Sequence, residues 1–487
     1  MYTSKLVTRG TMVFSSTEFL FIFLPIVLII YFNPVFKGRK FRNYFLLLAS
    51  LAFYAWGEPV FVFVMILSIV VNWFFALRIN QQEDPRKRKW LLLPPLLFDI
   101  ILLFLFKYLS FATKNLGLLL GKEIHLEIAL PIGISFFTFK LMSYILDVYN
   151  GKAQAQKNLL NVALYISFFS KVTAGPIIRY QTIANEITER LETKSDFTKG
   201  VSRFVFGLGK KVLLANYLAV IVDNIFILEG DMSVATAWLG VIAFALQVYF
   251  DFSGYSDMAI GLGQIFGFHF EENFNYPFIA NSITDFWRRW HISLSAWFRD
   301  YVYIPLGGNR VSKKRWVFNL FIIWFLTGFW HGANWTYIAW GLYYYVFIIL
   351  ERMVGIDKKT SWFSHVYTIF VVLFGFAIFR SESLTASLRY IGVMLGFGAK
   401  SFSDQFFLYY LNGGKWVLLA SVFFALPIRT YLTNISKALR DRQGKLAFLG
   451  NPNFLIALKV IALIFVFVNS VLIVVNSTYN PFIYFNF

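Results

Sequence analysis

The chain has 487 residues, of which 58% are hydrophobic, 20% aromatic and only 15% charged. That balance is too apolar for soluble domains of this length and marks a polytopic membrane protein. Cysteine is absent, which excludes thiol catalysis, disulfides and thiolate metal sites, and the net charge of +19 reads as Lys- and Arg-rich cytoplasmic loops rather than a nucleic-acid partner.

Met12-Val13-Phe14-Ser15-Ser16 reads like a natural start, and Met1–Thr11 as either an extension ahead of it or a short outer tail. No small-residue cleavage site follows the first apolar run, so a removable signal peptide is not expected. Apolar segments follow at Thr17–Phe36, Asn43–Trp56, Val60–Leu77, Leu91–Phe111, Leu130–Val148, Val205–Ile227 and Thr236–Leu262. They continue at Trp316–Trp330, Trp335–Leu350, Val366–Phe379, Trp416–Pro427 and Ile456–Val475. Leu159–Ile178 carries Lys171, Gly175 and Pro176 and reads as re-entrant. With the N-terminus outside, the basic clusters from Lys37 to Arg42, Arg78 to Lys89, Arg179 to Lys211 and Arg429 to Lys445 all fall inside. The same count leaves the C-terminal tail outside. No repeat, linker or second domain is visible; residues 12–476 read as one transmembrane domain and 477–487 as an aromatic tail.

Asp251, Ser253, Tyr255, Ser256 and Asp257 lie inside one apolar segment. Polar groups there are costly unless they line a cavity or bond one another. They form either a structural network or a direct ligand contact. Ile283–Tyr303 is different in kind. Trp287, Trp290, Leu294, Trp297 and Tyr301 recur at helical spacing, which predicts an amphipathic helix at the membrane interface, capped by Ser282 or Thr284. His291 falls on the apolar side. Arg288, Arg289, Arg299 and Arg310, with the Lys313–Arg315 run, either attract a phosphate-bearing donor from the cytosol or only fix topology and touch lipid headgroups.

His331 is the most informative residue. It stands in Thr327-Gly328-Phe329-Trp330-His331-Gly332-Ala333-Asn334-Trp335, between two apolar stretches and among glycines. Trp316 to Trp330 climbs only ~22 Å as a helix, short of a ~30 Å bilayer core. A histidine on a break at membrane depth is either a functional group or a packed, hydrogen-bonded one.

Phe250–Gly261, Thr284–Gly308 and Phe329–Thr336, with Phe14–Leu20 and Tyr54-Ala55-Trp56, are similar to the membrane-bound O-acyltransferase family. They most resemble its bacterial branch that O-acetylates or D-alanylates cell-envelope polymers. The resemblance implies an all-α fold of roughly 11–12 transmembrane or re-entrant helices in a ring around a funnel. It implies His331 as the essential histidine and His291 as the second active-site position, with Asn334 in the cavity network and no metal. The implied donor is acetyl-CoA, with no bound cofactor; D-alanyl or another acyl group is the alternative. The implied partners are membrane lipid, a polysaccharide acceptor and an outer SGNH-hydrolase-like protein, in a bacterial plasma membrane. A transporter with a midplane histidine is the competing class, but the paired broken helices it should show are not found. His125, His269 and His365 match no motif. The tail Pro481-Phe482-Ile483-Tyr484-Phe485-Asn486-Phe487 either packs on the outer rim or enters the funnel. In the second case Tyr484 resembles the tyrosine of the small partner subunit in teichoic-acid D-alanylation, and would carry the acyl group.

Overall fold

A computed structural model describes residues 12–124, 126–228, 230–356, 360–440, 451–477, 479–481 and 483. Met1–Thr11, His125, Tyr484 and the residues beyond it lie outside the described residues. Every regular element among the described residues is helical, as the apolar pattern requires: in lipid a helix satisfies its own backbone. All the apolar segments read from the sequence fall on helices. The first are α1 (Phe19–Tyr31), α2 (Arg39–Gly57), α3 (Phe61–Gln81), α4 (Pro85–Leu120) and α5 (Ile134–Tyr149). Among the described residues six helices are long and apolar enough to cross a membrane, or seven if the bent pair Gln405–Ala425 and Thr430–Lys437 is one span. The protein is a multi-pass membrane protein. The remaining segments are shorter or more polar, as in α5, which buries Lys140 and Asp147.

The re-entrant reading of Leu159–Ile178 matches a short helix, α6 (Leu159–Ser167), followed by irregular chain up to α7 (Tyr180–Glu189). Phe168, Phe169, Val172, Ile177 and Ile178 in that chain are all buried. Irregular backbone is tolerated there because protein, not lipid, surrounds it.

The scaffold is a pair of long antiparallel helices, α8 (Lys194–Phe226) and α9 (Val234–Ile265). Glycines set their separation. A Cβ on Gly207 would stand 2.7 Å from the Gly254 carbonyl, and one on Gly254 would stand 2.8 Å from that of Gly207. One helical stretch away, Gly200 and Gly261 repeat the arrangement, each 2.6 Å from the other's carbonyl. Small residues let helix backbones approach where lipid offers no hydrophobic drive to association. α8 begins at Lys194, well before the predicted start at Val205. Lys210 and Lys211, read as loop charges, therefore belong to its middle, in a π turn at Lys210–Ala215.

Around this pair stand α10 (Ile283–Arg289) and α11 (Ile292–Phe298), the hairpin α12 (Lys313–His331) and α13 (Trp335–Val354), α14 (Trp362–Arg380), α15 (Leu384–Met394), α16 (Gln405–Ala425), α17 (Ile428–Arg440) and α18 (Pro452–Asn476). The glycine contacts yield the first prediction. Gly207→Val or Gly254→Val places a branched side chain against a backbone carbonyl that no rotamer can avoid. Overpacking of this kind costs about 1–3 kcal/mol or more. We expect a lower melting midpoint and less monodisperse protein in detergent, while Gly38→Val, where a Cβ meets nothing within 4 Å, leaves both unchanged.

Candidate active site

α12 and α13 form an antiparallel hairpin held by close approach. A Cβ on Gly328 would meet the Tyr337 carbonyl at 2.3 Å, and one on Gly341 the Trp324 carbonyl at 2.3 Å. His331 is the last residue of α12, and Gly332 leaves it in extended conformation. The break predicted from the glycines is therefore present. The helix is not short, however: α12 begins at Lys313, ahead of the apolar run, and has 19 residues, ~28 Å of helix, close to a bilayer core. Burial now carries the case instead. His331 is 2% exposed. The rings of Trp330, Trp340 and Phe379 stand 5.1, 4.9 and 5.5 Å from its own.

Residues 283–303 do not form one continuous helix. The chain breaks at Trp290 and His291 into α10, α11 and a π turn at Arg299–Tyr303. His291 adopts a left-handed conformation, φ 46°, which costs an L side chain roughly 1–2 kcal/mol. The predicted apolar stripe does pack inward: Trp287, Trp290, Leu294, Trp297 and Tyr301 are buried in protein. Ser282 caps α10 by accepting from the Asp285 amide. Glu351 of α13 accepts from the Ile283 and Thr284 amides, at 2.6 and 3.3 Å.

Asn273 holds the break open. Its main-chain carbonyl accepts from the Ile292 amide at 3.0 Å. Its Oδ1 accepts from the Ser293 amide at 3.2 Å and the Ser293 hydroxyl at 2.9 Å. His291 Nδ1 lies 3.2 Å from the same oxygen. The Ser293 amide can only donate, so Oδ1 is fixed as the acceptor. His291 Nδ1 must then carry the proton, and the Nε2 lone pair is the basic one in the neutral ring. The Asn273 amide in turn donates to Ser256 Oγ at 3.1 Å.

The two histidines flank one indole. Trp330 lies 5.9 Å from the His291 ring and 5.1 Å from that of His331, centroid to centroid. Lys107, the lone cation of the predicted Leu91–Phe111 run, donates to the Trp330 carbonyl and to Ser135 Oγ. It caps the end of α12 beside His331. Lys107 was not singled out from the sequence, although a lysine in an apolar run is a signal that could have found it; for Asn273 a single sequence holds no comparable signal.

The expected polar network on α9 divides. Ser256 reaches His291 through Asn273. Asp257 pairs with Lys210 at 2.6 Å and Arg203 at 2.9 Å. Tyr255 stacks on Phe14 at 4.7 Å and bonds Thr173. Asp251 pairs with Lys211 at 2.7 Å, and Ser253 is buried. Asn334 caps α13, accepting from the Thr336 amide at 3.1 Å. Of the basic residues, Arg289 and Arg299 are taken up by Asp285 and Asp300, at 3.0 and 2.7 Å. Arg288 and Arg310 are exposed. His269 lies 2.9 Å from Glu186 and His365 lies 2.9 Å from the Ala280 carbonyl, both apart from the pair. Among the described residues no group of His, Asp and Glu could hold a metal ion.

The strained backbone at His291 gives a second prediction. His291→Gly and His291→Ala both remove the ring, but only glycine adopts positive φ without strain. We expect the Gly variant to melt above the Ala variant, by about 1 kcal/mol. Equal melting would mean the left-handed turn is not held in solution.

Residues 96–379 match the family model for MBOAT, membrane-bound O-acyltransferase family. A probable alginate O-acetylase of Pseudomonas putida is 40% identical, over 98% of this chain and 100% of its own. A peptidoglycan O-acetyltransferase of Helicobacter pylori is 34% identical over 80% of this chain and 81% of its own. A teichoic acid D-alanyltransferase of Bacillus subtilis is 31% identical over 52% of this chain and 69% of its own.

Proposed function

The chain belongs to the membrane-bound O-acyltransferase family, and from that premise we propose that it moves acetyl groups from cytoplasmic acetyl-CoA across the membrane for O-acetylation of an extracellular or cell-wall polysaccharide. The observation that carries the reading is the pair of buried histidines that both pack against Trp330, inside the residues matched by the family model. The names of the longest-matching relatives favour a polysaccharide acceptor and an acetyl group. A D-alanyl donor is the second reading, favoured by the teichoic acid D-alanyltransferase relatives, whose identity to this chain is lower, 31% for that of Bacillus subtilis.

In this mechanism His331 is the general base. A hydroxyl near the imidazole gives up its proton to the ring as its oxygen attacks the thioester carbonyl. The tetrahedral intermediate collapses, the C–S bond breaks, and the departing thiolate takes the proton back from the imidazolium. The products are an acetyl ester and free coenzyme A. His291, with its proton held on Nδ1 by Asn273, supports the site through its Nε2 lone pair. The packed aromatic walls exclude water, which strengthens every polar interaction with the developing oxyanion. With no cysteine in the chain, no acyl intermediate on it is a thioester.

Tyr484 is the proposed acceptor, and from its aryl ester a serine of an outer SGNH-type partner takes the acetyl group for the polymer. A phenol of pKa about 10 is a better leaving group than an alcohol, so the second transfer runs downhill. The donor enters from the cytosolic face, where the exposed Arg288, Arg310 and Lys313–Arg315 attract its phosphates. In this orientation the protein lies in the bacterial plasma membrane with its C-terminus outside.

His331→Ala should lower polymer acetylation by roughly 10²–10⁴-fold, the scale of a positioned general base, in protein that inserts and purifies normally. His291→Ala should lose less. Near-normal acetylation by His331→Ala at normal expression overturns the assignment. For the donor path, Arg288→Gln/Arg310→Gln should raise the apparent KM for acetyl-CoA several-fold with kcat little changed, as lost phosphate attraction requires. An unchanged KM leaves those residues a topological role alone.

A further inference from the structure

We infer that the Lys211–Asp251 ion pair, buried between the two scaffold helices, is a receptor for the main chain of the C-terminal segment at Pro481 and Ile483. Lys211 Nζ stands 2.7 Å from Asp251 Oδ1, with side chains only 3% and 2% exposed. Both partners also engage the segment after α18. Lys211 donates to the Pro481 carbonyl, and Asp251 Oδ2 accepts from the Ile483 amide at 2.9 Å. One donor and one acceptor, locked together, thus meet one carbonyl and one amide two residues apart. That is the complement a neighbouring strand would offer, supplied here by two side chains.

The energetics favour recognition over stability as the reason for the pair. Burying two ions costs several kcal/mol each, and replacing a buried pair with apolar residues is often neutral or stabilising. What apolar residues cannot supply is directional partners for a main chain inside the protein. Pro481 strengthens the case, because its nitrogen brings no N–H to be satisfied.

Contacts on the way in agree. Tyr479 donates to Asp223 at 2.7 Å, and Arg380 holds the same carboxylate at 3.0 Å. The Asn480 amide donates to the Ser15 hydroxyl at 2.9 Å and to its carbonyl at 3.2 Å. The segment therefore turns back from the end of α18 and runs into the protein. Two of its partners are chain neighbours of residues that wall the histidines. Phe379, packed on His331, precedes Arg380, and Phe252, packed 4.7 Å from the His291 ring, follows Asp251. The next residue after Ile483 is Tyr484. The inference rests on the reading of Tyr484 as acyl carrier only for its consequence; the docking itself does not depend on it.

The test uses a cysteine-free chain, so one engineered pair reports docking without background. Ser15→Cys/Asn480→Cys should form a disulfide on mild oxidation in membranes. In Lys211→Met/Asp251→Leu, which leaves no lone buried charge and so keeps the fold testable, the yield should fall about five-fold or more. Asp251→Asn alone should fall in the same direction. In parallel, a chain ending at Asn476 is given labelled acetyl-CoA and a synthetic peptide matching residues 477–487. Label should reach the peptide with the native pair and not with Lys211→Met/Asp251→Leu. Undiminished disulfide formation in the paired replacement overturns the receptor. If docking depends on the pair but Tyr484→Phe acetylates polymer at the wild-type rate, the receptor stands and the carrier reading fails.

Discussion

Backbone that leaves the helix inside an apolar protein must find its hydrogen bonds from side chains, because water is not there to supply them. Much of the site follows from that constraint. Asn273 answers the break at His291, taking the Ser293 amide on its side chain and the Ile292 amide on its carbonyl. Ser293 in turn accepts from the Ile177 amide in the irregular chain after α6. Lys107 answers the end of α12 at the Trp330 carbonyl, and Glu351 answers the start of α10. Each of these side chains comes from a different part of the sequence. The breaks that carry the histidines are thus tied to the scaffold by the groups that satisfy them, and the histidines inherit that rigidity.

The buried charges obey the same logic in another form. Asp257 has two cations and Asp251 has one, so neither carboxylate is left alone in a low-dielectric interior, where a lone charge is hardest to bear. The charges that stay near the surface serve other ends. Arg39 and Arg42 converge on Glu192 and tie α2 to the chain between α7 and α8. Arg179 joins Glu271 and Asp300, fixing the irregular chain after α6 to the π turn after α11. Separate clusters thus brace the regions on either side of the histidines, and the glycine-lined contact of α8 and α9 gives them a common frame.

The sequence made some of this legible and hid the rest for physical reasons. Apolar periodicity placed the helices, since a lipid-exposed helix must be apolar along its length. Glycines around His331 announced the break, because a tight change of direction needs them. The inward stripe of Trp287, Trp290 and Leu294 was visible, but the interruption at His291 was not. A histidine at positive φ carries no signature of its own, and its cause, Asn273, lies eighteen residues away in a loop. Lys210 and Lys211 were misread as loop charges because sequence counts a cation without showing its partner. The polar cluster on α9 looked like one network only because its members are adjacent in the chain; on a helix they face different neighbours, and each joined a different one.

Recognition through the main chain has a consequence for how the C-terminal segment can change. Lys211 and Asp251 touch a carbonyl and an amide, groups that nearly every residue type provides. At Pro481 and Ile483 the side chain is therefore open to exchange so long as the replacement packs, whereas Tyr479 and Asn480 bind through their own side chains. Spacing is not open to change. Tyr479, Asn480, Pro481 and Ile483 each meet a fixed partner on the frame, so adding or removing one residue among them shifts everything beyond. From Tyr479 to Ile483 the segment behaves as a ruler, and it is length more than composition that keeps its contacts in register.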